Sequence, residues 1–393
     1  MLVRDRSGPR APYFLDLQKA LRSGGVARPV LVIDRARMLR NLDRVAYHLA
    51  HGVDLRLVAK SLPVPSVLKL ASERLNTQRF MTFNQPMLGQ VFAMDPQADQ
   101  LLGKPLPVAA AALHEGQGNV HWLIDSLPRL DEYAALAEAR GQEMSVVLEV
   151  DIGLRRGGFD PGSELAEALK LLLERPLLRL SGIMGYDAHV PSTPSIFGWR
   201  GKEAASGIAA YDRALETIRA VTGRSADDLP IRNSGGSKSF MNHRDPSRIN
   251  EVCLGTAILK PSDFDADTLA DYEPALFIAT PALKVAPFRT PVVGALDGIK
   301  RALNPNRAKG IYTHGGYWKA APVDPPGLMP DATVGHSSNQ DLWLSGPRLD
   351  LAPDDFVFLR PTQSEAVMLQ FGPVIVVEDG AVVDEWETFP VSA

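Results

Sequence analysis

DLRLVAKSLP, residues 54 to 63, joins an apolar run to a lysine. Leu55, Leu57, Val58 and Ala59 make a short strand of the buried kind, and the strand delivers Lys60 at its C-terminal end. Ser61 follows, then Pro63 and Pro65 open a helix through Val67 and Leu70. A lysine on a strand edge walled by apolar residues is partly desolvated. Desolvation disfavours the ammonium form and frees the amine to attack a carbonyl, which is what a Schiff-base lysine requires. Taken alone, the stretch also reads as an ordinary surface lysine after a strand, and the rest of the chain has to decide between the two.

Outward from this strand the pattern repeats. Apolar strand-like runs lie at 55–59, 78–83, 101–102, 120–124, 145–150, 178–184, 230–233 and 251–258, with amphipathic helical patterns between them, among them 131–140, 163–173 and 201–221. Strands alternating with helices imply a parallel sheet with crossover helices. Seven or eight such repeats in about 210 residues have the size of a (β/α)8 barrel. Before the barrel, an amphipathic helix at 13–21 ends at Gly24-Gly25 and a strand at 29–34 follows, with Asp34 placed to cap the next helix. Beyond about residue 262 helical periodicity gives way to β-like runs at 275–285, 291–296, 355–360 and 373–383, the last folded back at Glu378-Asp379-Gly380. The organisation expected is an N-terminal segment, residues 1–34, whose strand joins the β domain; a barrel over 35–265; and a β-rich domain over 266–393.

Composition narrows the function. The 393 residues are 45% hydrophobic and 22% charged, as in a soluble globular protein, and the net charge of −4 with no basic cluster argues against nucleic acid or an anionic membrane as partner. The single cysteine, Cys253, excludes an intrachain disulfide framework and a zinc ribbon. No apolar run approaches the roughly 18 residues of a membrane span, and no secretory leader is evident, so a cytoplasmic location is expected.

In a barrel of this kind the chemistry sits at the C-terminal ends of the strands. Those ends carry Asp151 to Gly158 after the strand at 145–150, Tyr186, Asp187 and His189 after 178–184, Ser234-Gly235-Gly236-Ser237 after 230–233, and Gly255-Thr256 after 251–254. Adjacent glycines and small hydroxyl residues at neighbouring strand ends expose backbone N–H groups suited to a phosphate. Together with a strand-end lysine they point to a phosphorylated carbonyl cofactor.

The motifs LVAKSLP, EVDIGLRRGGF (149–159), GYDAHV (185–190), NSGGSKS (233–239) and NEVCLGTAI (250–258) make the chain similar to the fold-type III pyridoxal-phosphate enzymes, and within them to the D-threonine aldolase/D-serine dehydratase group. HGGYWKAAPVD (314–324) is a further echo. The resemblance runs from about Pro29 to the C-terminus. It implies an alanine-racemase-like barrel with a β domain, a homodimer with active sites near the subunit interface, and pyridoxal 5'-phosphate as cofactor. By the same resemblance Lys60 bonds the cofactor aldehyde and acts as acid and base at the substrate Cα. Arg156 lies near the cofactor's phenolic oxygen, and Tyr186 and His189 line the cofactor or substrate side. Ser234, Gly235, Gly236, Ser237, Gly255 and Thr256 form the phosphate site, and Cys253 stands where relatives place a partner for the pyridine nitrogen.

Metal-dependent members of that group carry two histidines in the C-terminal domain that bind a divalent ion. Here the matching positions are Gln340, in SSNQD (337–341), and Gln363, in RPTQSE (360–365). An amide oxygen is a poor substitute for imidazole at zinc or manganese. A tight divalent metal is therefore not expected, with Glu365 the carboxylate in this stretch able to ligate a hard ion and His336 a substitute histidine under a shifted alignment. The reading is a lyase acting on a D-3-hydroxy amino acid, by aldol cleavage to glycine and an aldehyde or by dehydration and deamination. An amino-acid racemase and a pyridoxal-phosphate carrier are the alternatives; carriers usually consist of the barrel alone, and about 130 extra C-terminal residues count against that one.

Overall fold

The computed structural model describes residues 3–116, 118–290, 294, 297–331 and 335–391. It divides into two compact units, one of Met1–Asn41, Leu259–Asp263 and Glu273–Thr388, the other of Leu42–Ile258, Phe264–Tyr272 and Phe389–Ala393.

In the first unit β1 (Val30–Asp34) follows the helix Pro12–Ser23. Tyr13 and Phe14 pack with Leu17, Leu21, Val30, Val32, Phe277 and Phe358 in its core, the buried stripe that the helical periodicity announces. Asp34 caps the helix Arg35–His48, its Oδ1 accepting the Arg37 N–H at 2.9 Å.

The second unit is a closed parallel barrel of eight strands: β2 (Asp54–Val58), β3 (Arg79–Thr82), β4 (Asp99–Leu102), β5 (Asn119–Ile124), β6 (Met144–Glu149), β7 (Leu178–Gly185), β8 (Ile231–Ser234) and β9 (Glu251–Leu254). The strands are short and almost wholly buried, as parallel strands covered by helices must be. A buried ionic network lies at their N-terminal end. Arg56, fully buried, grips both oxygens of Glu251 at 2.6 and 2.8 Å and reaches Oδ1 of Asp99 at 2.8 Å. Arg79 and Asn233 complete the shell around Glu251 at 2.9 and 2.7 Å. Arg79, Asp99 and Glu251 each lie at the start of a strand, so this network floors the barrel and leaves the opposite end for chemistry.

Two strand expectations are shortened. β2 stops at Val58 and Ala59–Ser61 turns into a single 3-10 helix. The run 251–258 splits after Leu254 into the short helix Thr256–Leu259, because the N–H groups of Gly255 and Ala257 turn to the Ser237 hydroxyl.

The sheet of the first unit continues with β10 (Leu276–Pro287), β11 (Lys309–His314), β12 (Ala320–Asp324), β13 (Met329–Pro330), β14 (Gln340–Ser345), β15 (Phe356–Pro361), β16 (Val374–Glu378) and β17 (Ala381–Trp386). Its order is β13-β14-β11-β10-β1-β16-β17, with β15 paired to β10 and β12. The N-terminal strand thus joins this sheet, antiparallel to β10 and parallel to β16. The β16–β17 turn has Asp379 and Gly380 both at positive φ, 49° and 74°, the backbone of a tight two-residue hairpin. The stretch 291–296, read as a strand, lies outside the described residues apart from Gly294. Strands β11, β12 and β14 were not expected from the sequence: KGIYTH, AAPVD and QDLWLS mix polar residues and proline into short runs, which masks their period.

Candidate active site

Along residues 55–64, Lys60 alone is not fully buried. The strand and the 3-10 turn bury everything else, so the sequence has one way to present a side chain here, and it presents the amine. Its Nζ stands 4.6 Å from the ring centroid of Phe83, just past β3, a cation–π contact that sets an apolar wall beside the nitrogen.

Ser61 ties this turn to the glycine turns. Its Oγ accepts the Thr256 hydroxyl at 2.9 Å. On either side of Thr256, the Gly255 and Ala257 N–H groups both point at Oγ of Ser237, at 3.3 and 3.1 Å. Two backbone donors converge here on one hydroxyl oxygen, an arrangement that an anion's oxygen could take over by displacing that hydroxyl. A side chain at 255 would block it, since a Cβ there would lie 2.8 Å from the Val58 carbonyl oxygen. Gly236 is equally confined, with Tyr186 3.0 Å from where its Cβ would be. Ser234 is spent within the barrel: its hydroxyl donates to the Gly185 carbonyl at 2.7 Å, bracing β8 against β7.

Arg156 lies on the exposed loop after β6, its guanidinium 5.0 Å from the Tyr186 ring centroid. The loop is shaped by Asp151, whose Oδ1 accepts the Gly153 and Arg155 N–H groups at 2.9 and 3.0 Å. Below it, burial raises the Glu149 carboxyl above its ordinary range; Arg156 opposes the rise, and Asp125 and Asp151 add to it. His189 packs its ring against Gly153 and its Nε2 lies 4.0 Å from Glu203 of the helix Trp199–Thr222. Both ring nitrogens are buried, and neither has a hydrogen-bond partner among the described residues.

Cys253 is buried and donates its thiol to the Gly235 carbonyl at 3.0 Å. Burial pushes the thiol up to about 12, and Glu251 and Asp187 push the same way, so it stays protonated near neutrality. A weak donor already engaged by a carbonyl has little to offer a ring nitrogen.

Gln340, Gln363 and Glu365 belong to the other unit. Gln340 opens β14, exposed, opposite His314 on β11. Gln363, just beyond β15, accepts a hydrogen bond from Lys319 Nζ at 3.0 Å, so an ammonium stands beside this amide. His336 lies 3.4 Å from Asp341. Among the described residues no group of three His, Cys, Asp or Glu side chains is arranged to hold a metal ion, and no helix is long and apolar enough to cross a membrane.

Sequence reasoning passed over Phe83, Ser239 and His243. Ser239 sits inside the quoted NSGGSKS motif; His243 carries no local signal, because its partner Asp187 is 56 residues away.

Residues 33–263 match the family of the alanine racemase N-terminal domain, and the chain belongs to that family. Among curated proteins it is similar to a 3-hydroxy-D-aspartate aldolase of Paracoccus denitrificans (strain Pd 1222), 24% identical over 74% of this chain and 77% of the relative. Among solved structures it resembles a D-threonine aldolase from Filomicrobium marinum, with a TM-score of 0.73 at 17% identity, covering 92% of this chain and 96% of that one. A D-threo-3-hydroxyaspartate dehydratase from Delftia sp. HT23 superposes with a TM-score of 0.74 at 16% identity, over 92% and 97%. The barrel with a separate mostly β unit is the alanine-racemase-like fold expected from the sequence.

Proposed function

We propose that the protein is a pyridoxal-phosphate-dependent lyase that cleaves a D-3-hydroxy amino acid to glycine and an aldehyde. One observation carries the reading: the Lys60 turn is hydrogen-bonded through Ser61 and Thr256 to the cradle of Ser237, Gly255 and Ala257. A reactive amine and an anion cradle are thereby held on one rigid edge, which is what an aldehyde bearing a phosphate needs. The family to which the chain belongs, and the aldolase and dehydratase relatives, support the same cofactor. When bound, pyridoxal phosphate supplies an electron sink for a bond broken at the substrate Cα.

The residues divide the remaining work. Ser237 and the Gly255 and Ala257 N–H groups hold the phosphate, Tyr186 and Arg156 flank the ring, and Lys60 moves the proton at Cα. His189, with both nitrogens unengaged, takes the β-hydroxyl proton as the Cα–Cβ bond breaks; the aldehyde departs and Lys60 protonates Cα to give glycine. A homodimer is the expected state, as the resemblance implies. The Delftia relative favours one second reading, elimination of the β-hydroxyl to a 2-oxo acid and ammonia.

Incubation of the holoenzyme with D- and L-3-hydroxy amino acids and identification of products tests this. Glycine plus an aldehyde is expected. A 2-oxo acid with ammonia would place the protein with the dehydratases, and Cα-proton exchange with inversion and no cleavage would make it a racemase.

A further inference from the structure

The loops after β7 and β8 share a buried polar network to which the proposed reaction assigns no step. Asp187, 5% exposed, accepts the Ser239 hydroxyl at Oδ1 at 2.6 Å and lies at Oδ2 2.9 Å from His243 Nε2. Ser239, 2% exposed, in turn accepts the Gly236 N–H on its own Oγ at 3.1 Å. A chain of hydrogen bonds thus runs from the backbone of the Gly235–Ser237 turn, through one hydroxyl, to a carboxylate on the neighbouring strand end. His243 closes it from the far side, its Cδ2 3.0 Å from where a Cβ of Gly235 would be.

The carboxylate needs this arrangement, and the turn needs the carboxylate. A buried aspartate without donors is strongly disfavoured, and among the described residues the side chains of Ser239 and His243 hydrogen-bond it. A turn with adjacent glycines has no side chains of its own to hold it in one conformation. The backbone contacts of the segment run forward, from Ser239 and Phe240 N–H to the Gly236 carbonyl, and fold the turn on itself. Among the described residues, the side-chain tie from the Gly236 amide to the neighbouring strand end runs through Ser239 to Asp187. One residue beyond the tied amide is Ser237, whose hydroxyl must meet the Gly255 and Ala257 N–H groups.

We propose that Asp187, acting through Ser239 and braced by His243, is the positioning residue of the phosphate cradle: it fixes Gly236 so that Ser237 meets Gly255 and Ala257. The proposal rests on the cofactor reading above and deepens it. It makes a specific demand, since a residue that sets the phosphate end of the site matters for a phosphorylated ligand and not for the same ligand without its phosphate.

The test compares binding of pyridoxal phosphate and of pyridoxal to the dialysed protein, by absorbance titration and by borohydride trapping on Lys60. Wild type is expected to trap both on Lys60 and to bind the phosphorylated form more tightly; failure to trap either overturns the cofactor reading and this inference with it. Asp187→Ala and Ser239→Ala are expected to weaken pyridoxal phosphate by roughly 10-fold or more, the scale of hydrogen bonds to a charged group, with pyridoxal unchanged. Asp187→Asn, which keeps an acceptor for Ser239, is expected to recover part of the loss. Ser239→Ala removes one hydroxyl, so it serves if Asp187→Ala does not fold. Equal weakening of both ligands, or unchanged pyridoxal phosphate affinity in a folded variant, would overturn the positioning role while leaving the Lys60 reading standing.

Discussion

The Thr256 hydroxyl donates to the Ser61 hydroxyl at 2.9 Å, joining the first and last strand ends of the barrel one residue away from Lys60. β2 and β9 are also ladder neighbours, paired from Asp54–Glu251 to Leu57–Leu254, so the bond extends the sheet contact past the end of both strands. Both hydroxyls are buried. Thr256→Val keeps the shape and removes the donor; its stability cost is expected to be about 1 kcal/mol. The larger consequence is expected at the cofactor, as a weaker affinity for pyridoxal phosphate in absorbance titrations. An affinity equal to wild type would mean the cradle and the lysine turn are held independently.

Lys60 is expected to carry the cofactor. Borohydride reduction of the holoenzyme, digestion and mass spectrometry are expected to place the pyridoxyl group on the peptide holding Lys60, and Lys60→Ala is expected to lose both the label and the visible absorbance. A label on another lysine, or on none, would remove the basis of the proposed reaction.

His189 separates the two chemistries. His189→Ala is expected to retain the Lys60 label and to lose cleavage by about 10²-fold or more, the usual contribution of a general base. Glu203, 4.0 Å from Nε2, is half exposed, so Glu203→Gln is expected to reduce cleavage far less than His189→Ala does. Full cleavage by His189→Ala would move the base elsewhere.

The barrel was legible because buried parallel strands read as uninterrupted apolar runs separated by amphipathic helices, and because glycine turns at strand ends are local in sequence. Lys60, the 234–237 turn and Gly255-Thr256 could all be picked out that way. The N-terminal strand at 29–34 and the Asp379-Gly380 hairpin were legible for the same reason, each being a short local pattern. What the sequence hid is pairwise and distant. Asp187–His243 spans 56 residues and Arg56–Glu251 spans 195, and no spacing rule connects such partners. Lys319 beside Gln363 is similar, since only the pairing of β12 with β15 brings the two segments together.

Metal dependence is expected to be absent, because Gln340 and Gln363 stand at positions where the resembled metal-binding enzymes use histidine. Cleavage by the holoenzyme is expected to survive prolonged dialysis against a chelator. Stoichiometric zinc or manganese in the purified protein, with activity lost on chelation and restored by the ion, would mean that Glu365, with His336 or other groups, supplies a site.

The barrel floor sets the response to acid. Burial acts to raise the Glu251 carboxyl, but Arg56, Arg79 and the Asn233 amide outweigh it and hold it below its ordinary value. Asp99 is likewise lowered against its burial, by His121 and Arg56. A carboxylate depressed on folding contributes stability that is present in full above its unfolded pKa, about 4.3 for Glu and 3.9 for Asp. That contribution is lost as pH falls from there through the lower folded values, where the native state must take up protons that the unfolded state already holds. Thermal midpoints are therefore expected to be flat with respect to these two groups near neutrality and to drop steeply below about pH 4. Glu251→Gln removes the charge while leaving Arg56 buried, and breaking a buried pair from one side costs about 3–5 kcal/mol. The variant is expected to lose that much at pH 7 and to show a shallower acid drop than wild type. A loss under about 0.5 kcal/mol, or an acid profile parallel to wild type, would mean that the Arg56–Glu251 pair does not hold the floor of the barrel.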